Sequence, residues 1–215
     1  MLHTINQILV YAVPLIFAIT LHEAAHGWMA SRYGDHTAKM LGRVSANPLV
    51  HIDPVGTILV PGLLLLGSSL TGMGGVLFGW AKPVPVTTRY LTPFRQGMLA
   101  VAAAGPAANL LQALIWLVLF KVCLIAGWYD RYVIEVCLAG VMVNFYLMAF
   151  NLLPLPPLDG GRILTMILPY QAAQAFARLE QYGMIVLVVL LISGFFHYWM
   201  HPFVWMARSM INAML

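Results

Sequence analysis

Five long apolar stretches, at roughly 5–30, 54–78, 97–126, 132–153 and 183–206, constrain this chain more than any other feature. About 20 apolar residues span the hydrocarbon core of a bilayer as a helix, because in lipid every backbone amide must find its partner within the segment. The composition agrees: 61% of residues are hydrophobic and 8% charged, where soluble domains carry about 25% charged residues. The expected fold is an all-α polytopic membrane protein, a helical bundle of about five hydrophobic segments forming one domain over residues 1–215. The first stretch lacks the basic leader and small-residue cleavage pattern of a signal peptide, so it reads as a retained helix.

Basic residues fall in three short polar loops rather than in one patch, which excludes a nucleic-acid face. Residues 32–46 carry Arg32, Lys39 and Arg43; residues 79–96 carry Lys82, Arg89 and Arg95; residues 159–182 carry Arg162 and Arg178. The positive-inside rule puts all three loops in the cytoplasm and the charge-balanced turn at 128–131 on the far side. With cytoplasmic loops at both its ends, the stretch 54–78 must enter the membrane and return. Pro61 and the repeated glycines are too many breakers for one plain helix, which predicts a re-entrant or β-hairpin-like element around 72–87. Non-helical backbone at that depth survives only against protein or a wet cavity, so this element is expected to wall a site.

Against this apolar background, His22-Glu23-Ala24-Ala25-His26 closes the first stretch. On a helix, positions i and i+4 share a face, so both imidazoles can reach one ion while Glu23, one step round, can hold a water. Ionisable side chains inside a membrane segment are costly and mark function. A catalytic zinc takes three protein ligands and leaves its fourth position open. The residue six after His26 is Arg32, which rules out an extended HExxHxxGxxH ligand set, and the next glutamates are Glu135 and Glu180. Asp35, His36, His51 and Asp53 would have to fold back from the loops that follow. Asp159, in the run NLLPLPPLDGG at 151–161, is the better candidate. It follows an apolar segment that returns to the side of the HExxH motif. Pro154, Pro156 and Pro157 break the helix ahead of it, and Gly160 and Gly161 let backbone pass close by. Cys123 and Cys137 sit inside apolar stretches and read as packing residues, not ligands.

The stretch LHEAAHGWMASRYGD, followed far downstream by FNLLPLPPLDGGRI, resembles the site-2 protease family of intramembrane zinc metalloproteases in its compact form without a PDZ domain. AAAGPAANLL at 102–111 is similar to that family's Gly-Pro-small-small-Asn segment, and the likeness spans about residues 8–166. The resemblance implies that His22, His26 and Asp159 bind one Zn2+, that Glu23 is the general base and that Asn151 helps to hold the substrate or intermediate. It also implies that GGVLFGWAKPVPV stands in the place of a membrane-associated β-hairpin that pairs with unwound substrate. Gly79, Trp80, Val84 and Val86 become substrate-binding candidates, with Asn109 as a further one.

On this reading a zinc-activated water attacks the scissile carbonyl, with Glu23 moving the proton. Asn151 either stabilises the oxyanion or caps its helix, and Asn109 either assists or belongs to a small-residue helix contact. Expected partners are transmembrane protein substrates and the lipid bilayer, in a prokaryotic cell (inner) membrane with the site toward the cytoplasm. Two other classes fit the same ligands: a divalent-metal transporter, which has no need of Glu23, and a non-catalytic protein that grips membrane helices.

Overall fold

The computed structural model describes residues 2–53, 56 and 82–215. Most of the 54–78 stretch, together with Gly79, Trp80 and the first part of the element expected at 72–87, lies outside the described residues. Among the described residues the chain is helical, with no strand. In order come α1 (Leu2–Arg32), α2 (Thr37–Met40), α3 (Phe94–Ile125), α4 (Arg131–Asn151), α5 (Asp159–Ile167), α6 (Tyr170–Ala177), α7 (Gly183–Ile192) and α8 (Phe195–Asn212). Four spans are long and apolar enough to cross a membrane: Leu9–Arg32, Phe94–Ile125, Arg131–Asn151 and the run Tyr170–Ile192.

These helices are apolar nearly all round, as lipid-facing helices must be. Leu111, Ile115, Val118 and Val122 on α3 point outward, while Ala113 and Leu117 on the same helix pack on Val141, Phe145 and Met148 of α4 and Ala207 of α8. Small residues let the backbones close up; a Cβ at Gly140 would stand 2.3 Å from the Trp116 ring. The turn between α3 and α4 uses Gly127 at φ 69°, and Asp130 caps α4 by accepting from the Val133 amide at 3.0 Å. Helices α1, α3 and α4 pack together as the central bundle.

Two expectations need correction. Residues 159–182, read as a loop, fold into α5, α6 and a 3-10 turn at Arg178–Tyr182. Polar residues there recur at 171, 174 and 178, which is helical spacing, so charge and polarity hid an amphipathic helix. The stretch 183–206, read as one segment, is split by Gly194, whose φ of 76° is left-handed and ends α7 before α8 begins.

Helix α5 is fixed at both ends. A Cβ on Gly160 would lie 2.2 Å from the Leu152 carbonyl oxygen, and one on Gly161 would lie 2.3 Å from Pro156 N, so the turn after α4 seats directly on these glycines. At its other end, Arg95 of α3 donates to the carbonyls of Met166 and Leu168, satisfying acceptors that the last turn leaves open. Asp159 thus opens a helix anchored between α3 and the end of α4.

Candidate metal centre

His22 and His26 lie one turn apart on α1, and both rings face α3 and the start of α5. Their Nε2 atoms are 3.1 Å apart, and each lies 3.3 Å from Asp159 Oδ2. All three side chains are buried. A tetrahedral ion with bonds of about 2.0–2.1 Å separates its ligand atoms by about 3.3 Å. The triangle therefore already has the edge lengths of a zinc site.

The donors fit a metal for a second reason. His22 Nδ1 is 2.7 Å from Asn109 Oδ1, and His26 Nδ1 is 2.7 Å from the Val101 carbonyl oxygen. Both partners are acceptors, so each Nδ1 carries its proton and donates, leaving a bare lone pair on each Nε2. Two lone pairs and a carboxylate then converge with nothing to donate between them. Asp159 Oδ2 is buried without a hydrogen-bond partner among the described residues, an arrangement that costs heavily unless a cation is shared.

Helix α3 closes the site from behind. A Cβ on Gly105 would fall 2.5 Å from His22 Cε1 and from His26 Nε2, so only glycine lets α3 come this near. Pro106 next to it cannot donate to the carbonyl of Ala102, which interrupts the helix ladder at the turn from which Val101 reaches His26. Asn109, one turn on, receives the His22 bond and donates through Nδ2 to the Ala18 carbonyl at 3.2 Å and to Asn144 Oδ1 at 3.0 Å.

Glu23 is half-buried on the flank of the histidines, and its Oε2 accepts from the Val84 amide at 2.8 Å. Val84 belongs to residues 82–87, which run without helix or strand assignment. Several clips hold this segment. Lys82 N donates to the His51 carbonyl at 2.9 Å, Arg43 donates to the Lys82 carbonyl at 2.8 Å, and Thr87 N donates to Asp35 Oδ2 at 2.6 Å. Val86 packs on Ala30, Leu91 and Val101.

The other third-ligand candidates go elsewhere. Asp35 accepts from Thr37 and Thr87; burial raises its carboxyl pKa, and these bonds lower it by more, leaving it below the ordinary value. His36 is exposed beside α2, His51 lies 3.1 Å from the Ser45 carbonyl, and Asp53 accepts from Gly56 N. Among the described residues only His22, His26 and Asp159 converge as a metal-ligand group. Asn151 is half-buried and donates to the Leu147 carbonyl at 3.0 Å. Two roles escaped sequence reasoning: Gly105 beside the imidazoles, hidden as one small residue among many, and Asp35 as a clip; Asn144, readable as a contact between helices, makes that contact with Asn109.

Comparison with known proteins gives this geometry a family. The model of peptidase family M50 matches residues 128–194, which include Asp159 but not the HExxH helix. A Bacillus subtilis protein named "Putative zinc metalloprotease YwhC" is 35% identical over 207 residues, covering 93% of this chain and 87% of its own length. The chain belongs to peptidase family M50. The similarity of this M50 chain extends to "Putative zinc metalloprotease Rip2" of Mycolicibacterium smegmatis, 29% identical over 88% of this chain and 69% of that one. "Putative zinc metalloprotease MJ0611" of Methanocaldococcus jannaschii is 33% identical over 47% of this chain and 50% of its own. No solved structure matches it. With its apolar helices, this M50 peptidase is an integral membrane protein, and its buried His22–His26–Asp159 group has the ligands and spacing of a zinc site.

Proposed function

We propose that this M50 member is a zinc-dependent intramembrane protease, one domain over residues 1–215, that hydrolyses peptide bonds within or near transmembrane segments of other membrane proteins. The observation that carries the reading is the triangle of His22, His26 and Asp159 with Glu23 adjoining it on α1. His22 Nε2, His26 Nε2 and Asp159 Oδ2 are the atoms that would hold the ion. When bound, zinc brings the pKa of a coordinated water to about 7 and polarises a carbonyl.

Glu23 is the general base. The Val84 amide holds its Oε2 at 2.8 Å, which aims the carboxylate and leaves Oε1 to take the proton from the attacking water and return it to the leaving amine. Asn151 stands close to the Asp159 turn in sequence; its amide, now on Leu147 O, would turn to the oxyanion or the substrate backbone.

A scissile bond in a transmembrane helix has its amides paired, so it must be unwound and given new partners. Residues 82–87 offer them. The Val84 N–H is committed to Glu23 and Pro83 and Pro85 have none, so within 83–86 the Val86 N–H is the backbone donor left for an extended substrate. Gly79 and Trp80, just ahead of this segment in sequence, are further substrate-binding candidates on the family resemblance and lie outside the described residues. The basic loops beside the HExxH end orient the site toward the cytoplasm of a prokaryotic cell.

The test is membrane proteomics with mapping of new N-termini in cells carrying the wild-type chain or Glu23→Gln. Fragments that begin inside transmembrane segments should vanish in the variant while their precursors accumulate. Identical maps under several stresses, with zinc still bound to purified wild-type protein, would overturn the protease reading in favour of metal transport or of non-catalytic binding of membrane helices.

A further inference from the structure

We infer that Asn109, locked by Asn144, is a positioning residue that fixes the tautomer and ring orientation of His22 and thereby sets the affinity of the metal site. This rests on the proposal that His22, His26 and Asp159 hold zinc. Both asparagines are 0% exposed, and their polar groups are taken up by His22, Ala18, Gly140 and each other. Two buried amides in membrane helices are expensive unless all their groups are used.

Their bonds form a directional chain. Asn144 Nδ2 donates to the carbonyl of Gly140 in its own helix at 2.9 Å, which turns its Oδ1 toward Asn109. Asn109 Nδ2 donates to that Oδ1 at 3.0 Å and to the Ala18 carbonyl at 3.2 Å. Reversing the Asn109 amide would set its oxygen against both of these acceptors, so Oδ1 must face His22. An acceptor at 2.7 Å keeps the proton on His22 Nδ1 and the lone pair on Nε2, aimed at the ion. His26 receives the same service from the Val101 backbone carbonyl, which no substitution removes. Only the His22 side of the site is therefore tunable through a side chain, and the lone polar residue of mid-α4 gains a purpose at the metal.

The experiment uses the full chain in detergent micelles, with zinc affinity from competition against a chromophoric chelator and ligand geometry from the visible spectrum of the Co2+-loaded protein. Asn109→Leu should bind zinc about 10- to 100-fold more weakly and alter the Co2+ spectrum. Asn109→Gln, which keeps an amide with both its acceptor and its donors and is smaller than leucine, should bind zinc more tightly than Asn109→Leu. Asn144→Leu should shift affinity in the same direction as Asn109→Leu but by less, since Ala18 still holds the amide. A folded Asn109→Leu with wild-type zinc affinity overturns the inference, and so does an Asn109→Gln as weak as the leucine variant, because the amide would then contribute nothing. Should Asn109→Leu fail to fold, unchanged affinity and spectrum in Asn144→Leu would overturn it instead. Zinc binding that survives His26→Ala unchanged would sink the zinc-site proposal itself, an outcome separate from these.

Discussion

Replacing Gly105 with alanine tests the geometry of the metal centre through one methyl group. The added carbon would stand 2.5 Å from His22 Cε1 and His26 Nε2 and 2.6 Å from His22 Nε2, whereas such atoms ordinarily approach to about 3.5 Å. About 1 Å of movement is needed. The rings cannot swing aside cheaply, since each is tied through Nδ1 at 2.7 Å to Asn109 or Val101 on the same α3 that carries the new methyl. Relief must come from α1 and α3 moving apart, an overpacking strain of about 1–3 kcal/mol. That movement far exceeds the roughly 0.2 Å within which metal–ligand distances hold, and a misplacement of about 1 Å costs on the order of 100-fold in activity. The assay is zinc content and chelator-competition affinity on the purified chain, with turnover of a transmembrane substrate in micelles. Gly97→Ala, earlier on α3 and 3.2 Å from Leu91 and Tyr33 rather than from the ligands, is the control and should keep its zinc. A Gly105→Ala chain that binds one zinc with wild-type affinity and cleaves at the wild-type rate would refute the close approach of α3 to the imidazoles.

Further outcomes follow from the same contacts. Glu23→Gln should retain zinc while turnover falls by about 100- to 10,000-fold; parallel loss of metal and activity would make Glu23 a ligand rather than a base. Asp159→Asn should lose more zinc affinity than the roughly 10- to 100-fold typical of an outer-shell change, and unchanged binding would remove it from the site. Asp35→Asn should cost about 1.5–3 kcal/mol through its weakened bonds to Thr37 and Thr87. The Asp35 carboxyl lies below its ordinary 3.8 when folded, so its contribution is complete above that pH and is lost as pH falls through the folded value. The melting-temperature gap between wild type and Asp35→Asn should therefore be flat near neutrality and narrow in acid; a gap that widens in acid would contradict this assignment.

Much of the site was legible in the sequence because its information is local. The two imidazoles of HExxH share a face through helix periodicity alone, and membrane crossing follows from the length of apolar runs. Asp159 could be selected by elimination among carboxylates and by the breakers around it, a choice that remained open until the chain was folded. Asp35 looked equally ligand-like in composition, yet it accepts from Thr87, and only the path of residues 82–87 across the end of α1 decides that. Residues 159–182 misled because polarity was read before periodicity. What tertiary structure alone decided is the approach of α3: the glycine that admits the imidazoles, the carbonyl that serves His26, and the asparagine chain that gives His22 its tautomer. Hydrogen-bond direction and a 2.5 Å gap arise from two helices meeting, and no property of either helix by itself encodes them.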